Sequence, residues 1–77
     1  MKFEYGQSVI VSESAPKEYK PNCNGWVVGK RTADNEEIAN EFKTSVGTGI
    51  FLIEFDDYPS GIEIPEIFLS LFIEKGV

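Results

Sequence analysis

The chain has 77 residues, 13 acids against seven bases and no histidine, for a net charge of −6. A chain this short buries only about 60% of the surface its unfolded form exposes, so residues 1–77 are read as one domain with one core. The charge speaks against a nucleic-acid partner, whose phosphates are held by displacing counterions with Lys and Arg, and the missing histidine excludes Ser-His-Asp and Cys-His sets within the chain.

The first predicted element is a strand over 8–12, the β-branched run Ser-Val-Ile-Val-Ser after Gly6. Residues 13–24 carry Pro16, Pro21, Asn22 and Asn24, whose fixed φ or turn preference points to a long loop. Gly25 opens and Gly29 closes a second strand through Trp26, Val27 and Val28, with the glycines placed where backbone bends or passes close. Over 34–43 the period changes to that of a short amphipathic helix, with Ile38, Ala39 and Phe42 on the stripe, Asp34 as N-cap and Glu37 at capping-box spacing.

Residues 50–56 alternate strictly, which assigns Phe51, Ile53 and Phe55 to the core and Ile50, Leu52, Glu54 and Asp56 to the outer face. Asp57, Tyr58, Pro59 and Ser60 read as a turn, after which Ile62 and Ile64 return on the core face and Glu63 joins Glu54 outside. Pro65 suits the first position of a helical turn over 65–68, and a last strand is expected over 69–73, where a longer helix is the competing reading. The pattern predicts a mostly β fold: a small SH3-like five-stranded barrel with one short inserted α-helix (about 34–43) and a helical turn before the last strand.

Hydrophobic residues make up 42% of the chain and aromatic residues 13%, enough apolar surface for it to fold. A lone cysteine forms no internal disulfide, and no Cys/His set exists for zinc. The expected compartment is the cytoplasm, since the amino-terminal residues show no apolar run of signal-peptide length and no stretch approaches the ~18 apolar residues of a membrane span. No catalytic residue, cofactor or metal is expected. Cys23, in Pro21-Asn22-Cys23-Asn24-Gly25, reads as an inert turn cysteine, because thiolate activation needs a base or an electropositive pocket.

Glu54, Asp56, Asp57 and Glu63 lack the ligand spacing of a calcium loop and read either as a solvated hairpin face or as an acidic docking surface beside Leu52 and Ile50. Trp26 fits two roles equally, filling a barrel end or anchoring an interface, while Tyr19 and Tyr58 read as partly exposed loop residues. The glycines make no phosphate loop, since no Gly-Lys-Ser/Thr follows them.

Phe3-x-Tyr5-Gly6-x-x-Val9-x-Val11, Ala15-Pro16-Lys17, Gly25-Trp26-Val27-Val28-Gly29, Leu52-Ile53-Glu54-Phe55-Asp56-Asp57 and Ile62-Glu63-Ile64-Pro65-Glu66-x-x-Leu69 together resemble the immunity-protein family numbered thirty-one of bacterial polymorphic-toxin systems. The resemblance spans nearly the whole chain and rests on strand residues and turn glycines. It implies a small, mostly β, cytoplasmic immunity protein that binds and neutralises a cognate toxin without catalysis, and it carries over no contact residues. A basic toxin would suit the acidic balance. The expected partner is therefore a toxin protein met through Glu54, Asp56, Asp57, Tyr58, Glu63 and Trp26, with no nucleic acid or membrane involved and the chain a monomer or weak homodimer. The alternative is an SH3-like accessory or structural module of a larger protein or ribonucleoprotein assembly, which binding to nucleic acid at low salt would reveal.

Overall fold

The structure, a computed structural model, describes residues 3–72. Along the chain run β1 (Ser8–Val11), a 3₁₀ turn (Lys17–Tyr19), β2 (Asn24–Thr32), α1 (Glu36–Glu41), β3 (Gly49–Phe55), β4 (Tyr58–Pro65), a second 3₁₀ turn (Glu66–Phe68) and β5 (Leu69–Leu71). The fold is mostly β, and its five strands form one antiparallel sheet in the order β4-β3-β2-β1-β5. β4 and β5 are its two edges, and no ladder between them closes the sheet among the described residues. No described helix is long and apolar enough to cross a membrane.

The core lies on the face that the alternation of β3 predicts. Phe51, Ile53 and Phe55 are buried together with Val9 and Val11 of β1, Val27 of β2, Ile64 of β4 and Leu69 of β5, and Ile62 packs partly against them. β2 runs to nine residues, well past Gly29. Lys30, Arg31 and Thr32 carry no apolar signature, yet they pair with Phe51, Ile50 and Gly49, because a ladder is made by backbone groups. Their long side chains lie over rings, Lys30 Nζ 5.0 Å from the Tyr5 centroid and the Arg31 guanidinium 5.6 Å from that of Phe42.

Several expectations need correction. Ile50, assigned to the outer face, is fully buried. Ala33, Ala39 and Phe42 belong to the same core, so the segment around α1 covers this end of the sheet on a side that strand alternation treats as solvent. α1 is shorter than 34–43 and is capped by Asn35, whose Oδ1 accepts the Ile38 N–H at 3.0 Å, while Asp34 stays exposed. With Asn35 as the cap, Ile38 occupies the third helical position and Glu37 no longer has capping-box spacing. The Ile38, Ala39, Phe42 stripe does face the core. The helix stops at a Schellman arrangement in which Lys43, at φ 56°, takes the left-handed position and Thr44 N–H donates to the Ala39 carbonyl at 2.8 Å.

The β3–β4 turn is tighter than 57–60, since Phe55 already pairs with Tyr58 across Asp56 and Asp57. The bend expected from Pro59-Ser60 occurs inside β4 as a bulge, where the register passes from Phe55↔Tyr58 to Ile53↔Ile62 and Gly61 adopts φ 82°. Pro65 is the residue before the second 3₁₀ turn rather than its first residue. β5 begins at Leu69 as expected, with Ile73 of the expected strand lying outside the described residues.

Tyr19 also departs from its expected exposure. It is only 7% exposed, with its ring tilted against Phe68 at 5.8 Å. Pro16 and a left-handed Lys20 (φ 58°) turn the segment back onto the body of the protein, so a residue that is loop by composition becomes core by position. Burial raises the Tyr19 pKa, and the charges of Glu18 and Glu41 raise it further.

Candidate functional site

Directly opposed residues in neighbouring antiparallel strands share a face. The face opposite the core is therefore built in rows. Arg31, Ile50 and Pro65 form one, Gly29, Leu52 and Glu63 the next, and Ser8, Trp26 and Glu54 a third. The first row is closed by the buried Ile50 and Pro65, and the other two are open to partners.

Leu52 is half-buried between two glycines. A Cβ on Gly29 would stand 3.3 Å from Leu52 Cβ, and one on Gly61 would stand 2.9 Å from Leu52 Cδ1. The leucine thus lies against bare backbone on both sides. Beside it, Arg31 donates from Nε to Glu63 Oε2 at 2.7 Å and from Nη2 to Oε1 at 3.0 Å, a two-pronged pair that holds Glu63 in place.

Asp57, in the β3–β4 turn, accepts from Lys20 Nζ at 2.8 Å, and the same ammonium sits 5.5 Å from the Phe55 ring centroid. This contact ties the 3₁₀ turn of the long loop to the hairpin. The Lys20 hydrogen bond holds the Asp57 carboxyl below its usual pKa, and the same bond raises that of Lys20. The depressed carboxyl contributes stability above the ordinary aspartate range and loses it as pH falls through the lowered value, while the raised ammonium loses its contribution as pH rises through its elevated one. Asp57→Asn is expected to remove a small acid-side slope from the stability profile, measured as melting temperature against pH. A slope identical to that of the unsubstituted protein would show the pair to be energetically silent.

The structure sorts the expected contact residues into groups. Trp26 and Glu54 are cross-strand partners, both half-buried. Glu63 stands across from Leu52. Asp56, Asp57 and Tyr58 are at the hairpin tip, with Tyr58 46% exposed. Of the four acids, Glu63 and Asp57 have cations of the chain against them, whereas Glu54 and Asp56 form no ion pair among the described residues. The sequence reading missed Lys20 and Arg31 as partners, because they lie 37 and 32 residues from the acids they bind and no local pattern links them. The flanking role of Gly61 has no local signal either, since it depends on how β3 and β4 pair.

Among the described residues no group of three His, Cys, Asp or Glu side chains is arranged to hold a metal ion. Cys23 is a free, partly buried thiol packed against the core. No family model, curated protein or solved structure matches the chain.

Proposed function

We propose that the chain is a non-catalytic binding protein that neutralises a cognate bacterial toxin in the cytoplasm, and that it meets the toxin through the outer face of β2, β3 and β4. The observation that carries this reading is the composition of that face: half-buried Leu52 and Trp26 at its centre, Glu54 across from Trp26 and Asp56 at the hairpin tip, neither acid ion-paired among the described residues. Apolar centres with polar surrounds are the anatomy of protein interfaces. The net charge of −6 favours a basic toxin, steered in by long-range attraction. The same reading takes the fold as an SH3-like barrel, supported by a meander of strands whose last member returns to pair with the first.

Co-production with any toxin domain encoded in a neighbouring gene tests this reading. Cells should survive only when the chain is present, association should slow as salt rises, and Glu54→Lys with Asp56→Lys should abolish protection while the circular dichroism spectrum is kept. Protection undiminished by the double reversal would show that the binding surface lies elsewhere.

A further inference from the structure

We propose that Trp26 and Glu54 form a receptor for one guanidinium group, that of an arginine on a basic partner segment; the inference rests on the binding reading and names what this face selects. The molecule contains its own template. Arg31 lies 5.6 Å from the Phe42 ring centroid while its two nitrogens grip Glu63, so aromatic face, guanidinium and carboxylate form a completed triad. Trp26 and Glu54 offer the same two outer members directly across a rung of the ladder, without a cation between them.

Three cations among the described residues are engaged elsewhere. Lys20, Lys30 and Arg31 lie over Phe55, Tyr5 and Phe42 and pair with Asp57, Glu4 and Glu63. Lys17 sits in the first 3₁₀ turn and Lys43 follows α1. Tryptophan is the strongest cation–π acceptor among the side chains, yet none of these cations covers it.

Backbone irregularities flank the pair. The β2–β3 register shifts between Val27 and Gly29, next to Trp26, and the β3–β4 register passes from Ile53 to Phe55 without giving Glu54 a partner on β4. Bulges of this kind re-aim side chains and are common beside functional sites. On the other flank Trp26 faces Ser8, which is small and exposed. Arginine is favoured over lysine because a guanidinium can stack on the ring and still present two parallel donors to the carboxylate.

The tryptophan is the only one in the chain, so its fluorescence and its indole N–H resonance report this site alone. The probe is an acetylated, amidated Gly-Arg-Gly-Arg-Gly peptide, titrated in parallel with its lysine and citrulline counterparts. Saturable change at Trp26 is expected with the arginine peptide, weaker change with lysine and none with citrulline. Glu54→Gln should weaken arginine-peptide binding by about fivefold or more, the equivalent of losing one partly exposed ion pair. Glu37→Gln, on α1, should leave it unchanged. Should Glu54→Gln lose the fold, Glu54→Asp, which withdraws the carboxylate by one methylene, carries the same expectation.

An unsaturable response, or equal binding by the Glu54 variant, would overturn the receptor. If the toxin is neutralised while the peptide leaves Trp26 unmoved, the guanidinium site is wrong and the binding face stands. Saturable peptide binding without protection from the toxin would instead support the receptor and remove the toxin-neutralising reading.

Discussion

Replacing Gly25 with alanine is expected to destabilise the protein by about 3 kcal/mol, the upper range for overpacking a close-packed interior. A Cβ at this position would strike the carbonyl oxygen of Glu54 in the neighbouring strand, and it would also stand 2.8 Å from Ile53 Cγ2 and 3.0 Å from Phe55 Cδ1. The nearest obstacle is backbone, which cannot swing aside as a flexible side chain can. Gly25 is not in the left-handed region, so alanine by itself would help by about 0.4–1 kcal/mol through the unfolded chain; the clash outweighs that gain.

Gly29→Ala supplies the contrast. Its nearest neighbours are side-chain atoms of Leu52, which can move outward, so a change within about 1 kcal/mol is expected. At roughly 4–8 °C per kcal/mol for a domain of this size, the two variants should melt about 8 °C or more apart. Similar melting temperatures would show that β2 and β3 can separate at Gly25 without cost. Because Gly25 precedes Trp26 and its clash is with Glu54, the first variant should also disturb the Trp26 indole signal.

Phe51→Ala should cost about 3–5 kcal/mol, the usual range for truncating a buried aromatic residue to alanine. Phe51 is fully buried at the centre of β3, between Lys30 and Ile64 in the ladder, and meets Phe3 edge-on at 5.1 Å and 75°. Its loss would leave a cavity and also release the contact that fastens the segment at Phe3 to the sheet. Native domains are stable by roughly 0.05–0.15 kcal/mol per residue, so the loss is comparable with the whole stability of a chain this size. Urea unfolding should therefore show a transition shifted to far lower denaturant, or no folded baseline, whereas Phe51→Leu should retain a cooperative transition. A midpoint unmoved by Phe51→Ala would mean that the core is organised around other residues.

The fold was legible wherever a local rule and the tertiary arrangement agree. Alternation in 50–56 identified Phe51, Ile53 and Phe55, and the helical stripe identified Ala39 and Phe42, all of them buried. The glycines at 25 and 29 were read as close approach or bend, and they mark a strand contact and a bulge. The candidate site was half legible. Trp26 and Glu54 each carry a local interface signal, one aromatic and one acidic, and only the β2–β3 register makes them neighbours.

Composition and periodicity by themselves determined the class of this protein: a small acidic chain, mostly β, with five strands and no histidine. The tertiary structure decided which faces are covered and which charges are paired, burying Ile50, folding Tyr19 onto Phe68, and matching Arg31 with Glu63 and Lys20 with Asp57. The reason is one of range. A side chain's period relates it to its own helix or strand, over a few residues. The ion pairs join residues 32 and 37 positions apart, and coverage joins separate elements, both of which meet only when the sheet sets its strand order.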